Sequence, residues 1–132
     1  MGLLPPFYDL VHRPPANPRR KTMSHPNQLP SINEMSALET LLHPSTPHQA
    51  VCLKFKATWC GPCKRIRMDE LLREHPGVQW FEVDADEAGD LFDYCGVSTI
   101  PAFMAIKHGR PQPLFQSSDT KTVSEWLSDM FP

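Results

Sequence analysis

Apolar residues along the chain follow two periods, one helical and one extended, that alternate from Ser31 onward. Met35, Leu38, Leu41 and Leu42 recur at helical spacing, and Ser31-Ile32-Asn33-Glu34 has the S-x-x-E form of a capping box. The pattern predicts a first helix that opens at this box and runs to His43, before Pro44. The run from Ala50 to Ala57, holding Val51, Cys52, Leu53 and Phe55, predicts a buried strand after a turn at Pro47. From Cys60 a helical pattern continues through Ile66, Met68, Leu71 and Leu72 until His75-Pro76-Gly77 stops it. Val78 to Val83 gives a second strand. The acidic run Asp84 to Glu87 opens a shorter helix, with Leu91 and Phe92 inward, that ends near Gly96.

Ala102 to Lys107 and Leu114 to Gln116 form a hairpin around His108-Gly109, its second strand made ragged by Pro111 and Pro113. Thr120 to Met130 closes the chain as an amphipathic helix with Val123, Trp126, Leu127 and Met130 on one face. Strands that alternate with helices predict parallel pairing, and the final hairpin adds antiparallel strands. The expected architecture is α/β, with a central mixed β-sheet flanked by helices.

The first thirty residues break this pattern. Pro5, Pro6, Pro14, Pro15, Pro18, Pro26 and Pro30 remove backbone donors and restrict the residues before them, so residues 1–30 read as a disordered extension and 31–132 as the folded domain. Arg13, Arg19, Arg20 and Lys21 against the single acid Asp9 raise a mitochondrial transit peptide, but the proline density opposes the amphipathic helix that one needs. Initiation at Met23 is an alternative account of the extension. Pro5, Pro6 and Asp9 interrupt any secretory signal, which leaves a cytoplasmic location as the expectation.

A length of 132 residues suits one domain, and 40% hydrophobic with 21% charged residues suits a globular core. The net charge of -2 offers no general attraction to nucleic acid or anionic membrane, and the apolar runs are too short to span a bilayer. Four cysteines are too few and too unevenly placed for a disulfide-stapled secreted scaffold.

Chemistry concentrates at Trp59-Cys60-Gly61-Pro62-Cys63. A C-x-x-C pair at a strand-to-helix junction puts the first sulfur at a helix N-terminus, where free N–H groups favour the thiolate, so Cys60 is the expected nucleophile. Cys63, one helical turn away, would resolve the mixed disulfide. Pro62 fixes a backbone angle and Gly61 permits close approach by substrate. A zinc half-site would need a second pair of ligands, and Cys52 and Cys95 are isolated. A vestigial motif in a purely structural domain is the other alternative.

These residues carry a resemblance. Lys56-Ala57-Thr58-Trp59-Cys60-Gly61-Pro62-Cys63-Lys64, Val83-Asp84-Ala85-Asp86 and Gly96-Val97-Ser98-Thr99-Ile100-Pro101 resemble the thioredoxin family in order and spacing, from about residue 31 to the end. The resemblance implies the thioredoxin fold, a redox-active Cys60–Cys63 disulfide and no cofactor. It implies a cis Ile100-Pro101 peptide, with the Ile100 backbone binding an extended substrate segment; the plain alternative for Pro101 is a strand-start proline. Trp59 would be a contact surface for substrate, or simply packing.

Departures from the family pattern cluster near the site. Lys54 stands where thioredoxins usually keep a buried aspartate that assists proton transfer at the second cysteine. The resemblance places Glu82 near that site on the neighbouring strand, so Lys54 either pairs with Glu82 or reaches past the sheet edge into solvent. Lys56 replaces a frequent aromatic. Met68 replaces a helix-kinking proline, which predicts a straighter helix. Cys52 reads as core, and Cys95 as either a regulatory thiol or a half-buried apolar residue.

The function these readings imply is protein-disulfide reduction by dithiol–disulfide exchange, in a monomer that receives electrons from a thioredoxin reductase. An interaction module with weak redox turnover and a specialised peroxidase or reductase are the alternatives.

Overall fold

At the centre of the sheet is β1, Ala50–Lys56, with five consecutive buried residues from Val51 to Phe55. A computed structural model of the chain describes residues 29–132. β2, Gln79–Asp84, runs parallel to β1, and β3, Ala102–Lys107, runs antiparallel on its other side. Two short strands, β4 at Arg110–Pro111 and β5 at Phe115–Gln116, pair with β3, and the order is β2-β1-β3-β4. A strand with neighbours on both sides and helices over both faces has no room for polar alternation, which explains the dense apolar run of β1.

Side chains of a strand alternate between faces. Val51, Leu53 and Phe55 join Phe81, Val83 and Ile106 in a core closed by α1, Met35–Leu41, and α3, Gly89–Cys95. Cys52, Trp80 and Phe103 point the other way, into a core closed by α2, Met68–Glu74, and α4, Thr120–Met130. On that side Trp126 stacks on Phe115, with ring centroids 4.8 Å apart and planes 6° from parallel. The mixed sheet flanked by helices is the architecture that the pattern predicts.

Local departures have local causes. No side-chain bond caps α1, which starts at Met35 and ends at Leu41, short of His43. Ser31 is instead drawn into a parallel bridge with Glu82 of β2, so the expected capping box does not form. Asp84 and Ala85 are also not helical: α3 begins at Gly89 and ends where Gly96 takes a left-handed φ of 74°. The hairpin turn lies at His108 and Gly109, both at positive φ, as the two-residue connection between Lys107 and Arg110 demands. Asp119 caps α4 by accepting the Thr122 N–H at 2.9 Å.

The predicted continuous helix after Cys60 is replaced by two pieces. A 3-10 turn spans Pro62–Arg65, Ile66 returns to extended backbone at ψ 124°, and α2 starts only at Met68. Losing the kinking proline therefore has not straightened this segment. Thr120, at the start of α4, holds the break open: its Oγ1 accepts the Arg67 N–H at 2.9 Å and lies 3.5 Å from the Arg65 carbonyl oxygen, to which it donates. Backbone groups that a continuous helix would pair are served from another element.

Leu29 is buried, and Pro30 supplies the carbonyl that accepts the Glu82 N–H at 2.8 Å. The extension expected over residues 1–30 is therefore corrected at its last two positions, which are held by the fold, and the expectations of disorder or targeting for residues 1–28 lie outside the described residues.

Candidate active site

Beyond the last residue of β1 the chain turns sharply, the Cys60 N–H donating to the Ala57 carbonyl at 3.1 Å. Cys60 and Cys63 form a disulfide with Cα atoms 5.3 Å apart. Pro62 occupies the first position of the 3-10 turn, where no N–H is needed. The Cys63 N–H donates to Cys60 Sγ at 3.1 Å. A four-residue turn contributes little dipole, and the Cys63 N–H is the backbone donor that it directs at Cys60 Sγ. A side chain at Gly61 would project into open space, so the residue's small size leaves room on the outer side.

Both cysteines are only 4% exposed and sit in an apolar nest with Ala57, Ala85 and Ile100. The Ile100-Pro101 peptide is cis. Trp59, in contrast, is 66% exposed, and its Nε1–H donates to the two carboxylate oxygens of Asp86 at 3.1 and 3.3 Å. The structure thus brings Cys60, Cys63 and Ile100 into one cluster and leaves the Trp59 ring at its rim.

Below this rim, four charged residues share one face of the sheet. In the parallel register Lys54 lies opposite Glu82 and Lys56 opposite Asp84. Lys54 does not escape past an edge: β1 is the middle strand, and the residue is 6% exposed. Burial lowers its pKa, with Glu82 pulling it back up and Lys56 pushing it down. Among the described residues, however, the close ion pairs of this patch belong to Lys56, whose Nζ is 3.3 Å from Asp84 Oδ2 and 3.8 Å from Glu82 Oε1. Lys54 and Glu82 interact through the longer-range field rather than in contact. Burial also raises the Glu82 pKa, against the lowering influence of Lys56 and then Lys54 and with a further rise from Asp84.

Asp84 and Asp86 join the site without having been among the site residues that the sequence motifs single out. A signal was present in the matching spacing of Lys54-x-Lys56 and Glu82-x-Asp84, since period-two charges on paired parallel strands fall on one face.

Cys52 and Cys95 take no part in the site. Cys52 is fully buried in the core beneath α2 and α4, where burial pushes its thiol pKa well up. Cys95 is half-buried against the core on the opposite face, and burial raises its pKa too. With the two on opposite faces of the sheet, a four-thiolate zinc site with Cys60 and Cys63 cannot assemble.

The thioredoxin family model matches residues 34–129. The thioredoxin of Gallus gallus is 32% identical over 102 residues, covering 76% of this chain and 96% of the relative. That of Equus caballus is 33% identical over 101 residues, covering 75% and 95%. Among solved structures, oxidized mitochondrial thioredoxin 3 of Saccharomyces cerevisiae has a TM-score of 0.72 at 23% identity, over 80% of this chain and 99% of that one. The fold, the disulfide at the strand-to-turn junction and these relatives together show that the chain belongs to the thioredoxin family and is a thiol–disulfide oxidoreductase.

Proposed function

We propose that Cys60 attacks and Cys63 resolves. The observation that carries this assignment is the Cys63 N–H directed at Cys60 Sγ, a donor that stabilises negative charge on that sulfur once the pair is reduced. The Cys60 thiolate attacks one sulfur of a substrate disulfide; that bond breaks, and the other substrate sulfur leaves as a thiolate and takes a proton. Cys63, on losing its proton, attacks Cys60 Sγ and releases the second substrate thiolate. Two electrons pass to the substrate, and the Cys60–Cys63 disulfide is the product left on the enzyme.

Trp59 and the backbone at Ile100 are the surfaces on which a protein segment rests, with Pro101 holding Ile100 beside the sulfurs. The exposure of Trp59 and the packing of Ile100 in the disulfide nest support this reading. Lys54 lacks the carboxylate needed to take the Cys63 proton, so water serves as acceptor, while Lys54 and Glu82 set the local field. The reading extends to a cytoplasmic monomer re-reduced by a thioredoxin reductase. No helix among the described residues is long and apolar enough to cross a membrane. One relative is named as mitochondrial thioredoxin-3, so fractionation of tagged full-length protein is the direct check on compartment.

Reduction of insulin disulfides by the purified protein, driven by dithiothreitol or by NADPH with thioredoxin reductase, tests the assignment. Cys60→Ser is expected to abolish turnover, and Cys63→Ser to accumulate Cys60-linked mixed disulfides. Turnover independent of Cys60, or trapping through Cys63 in Cys60→Ser, would reverse the roles.

A further inference from the structure

We propose that Lys56 is a positioning residue that fixes the Trp59 indole beside the disulfide, acting through Asp84 and Asp86. Its effect on catalysis rests on the reading of Trp59 as a substrate contact. The route can be followed atom by atom. Lys56 Nζ lies 3.3 Å from Asp84 Oδ2 and engages that oxygen. The other oxygen, Oδ1, accepts the Asp86 N–H at 2.8 Å, a local turn in which a carboxylate caps the backbone two residues on. That turn aims the Asp86 carboxylate at Trp59 Nε1–H, which it accepts at 3.1 and 3.3 Å.

Asp84, the carboxylate that Lys56 engages, is buried at 7% exposure, whereas the outer end of the chain, Trp59, is in solvent at 66%. Glu82 and Asp84 are two residues apart on one face of β2, so their charges repel where water is scarce. The Lys56 ammonium reaches both carboxylates and offsets that repulsion. Without it, the Asp84 carboxylate is pushed away from Glu82 and toward solvent, which weakens its hold on the Asp86 N–H. Lys56 also accepts the Ala85 N–H at 2.9 Å through its own carbonyl. A side-chain substitution leaves this main-chain bond in place, so Lys56→Met removes the charge alone.

The test compares the 15N-labelled full-length protein with Lys56→Met, following the indole Nε1–H resonance of Trp59 after its assignment by Trp59→Phe. The variant is expected to shift that resonance and speed its exchange with water. KM for insulin is expected to rise several-fold with kcat little changed, reduction of a small aromatic disulfide is expected to be unaffected, and Lys56→Arg is expected to restore both signals. In an Asp86→Ala background, Lys56→Met should add nothing further to KM. Asp84→Asn keeps the side-chain shape while discharging the partner of Lys56, and is expected to reproduce the indole shift even if Lys56→Met folds poorly. An unchanged indole resonance in Lys56→Met or Asp84→Asn overturns the proposal, as does a full additional KM effect in the Asp86→Ala background. An indole shift with unchanged insulin KM upholds the positioning role and removes the substrate-contact reading of Trp59.

Discussion

A lysine at 6% exposure in the middle strand of a sheet carries a desolvation cost that pH can remove. The folded-state pKa of Lys54 lies below its ordinary 10.5, so over the window from that lowered value up to 10.5 the unfolded chain binds more protons than the folded one. Lys54 therefore makes stability rise with pH in that window. Cys52 and Cys95 work in the opposite sense above 9.0, because their raised pKa values leave the folded chain holding more protons. The difference between wild type and Lys54→Met isolates the lysine. Urea unfolding is expected to show the Met variant equal to or more stable than wild type at neutral pH, with the advantage shrinking as pH approaches 10.5; a constant difference would mean that Lys54 is not desolvated. At this scale the redox pair was legible from its spacing together with the strand-to-helix junction that the apolar pattern places around it. Burial of Lys54 was not, because the middle place of β1 depends on strand order, and the ion pairing of Lys56 depends on which of two neighbouring lysines reaches the acids.

Among the elements, those defined by their own residues were the most legible. The helix Thr120–Met130 and the strand Ala102–Lys107 have the bounds that their patterns suggest. Elements defined by a distant partner were not. Ser31 pairs with Glu82 instead of capping a helix, and the break at Ile66 and Arg67 is held by Thr120, which lies 53 residues beyond Arg67. Thr120→Val keeps the shape but withdraws the acceptor from the Arg67 N–H. The expected loss is about 0.5–1.5 kcal/mol by urea unfolding, with faster hydrogen exchange at the Arg67 amide. Unchanged exchange there would show that the break is maintained by other contacts. Gly109 supplies a second check: its φ is 81°, and a Cβ there would collide with the His43 carbonyl oxygen, so Gly109→Ala is expected to cost about 1 kcal/mol or more and to loosen the hairpin.

At the scale of the whole molecule, the two cores share β1 as their common wall. Leu53 is fully buried, faces α1 and α3, and is bracketed by Phe81 and Met104 in the strand register. Leu53→Ala is expected to lower the free energy of unfolding by about 2–5 kcal/mol, read by urea titration. Native-state exchange should show β1 amides among the slowest, and the loss should appear in them first. Fast exchange along β1 in wild type would contradict a single cooperative sheet.

The short pairing of Pro30 and Ile32 with Glu82 has a further effect at this scale. The outer rim of β2 would otherwise present bare amide and carbonyl groups, yet at Glu82 the N–H is taken by the Pro30 carbonyl and the carbonyl by the Ile32 N–H at 3.0 Å. At the opposite rim Pro111 in β4 has no N–H to offer. A further strand arriving at either flank would therefore find no free N–H at Glu82 or at Pro111, so added pairing is blocked at these two positions by backbone atoms alone.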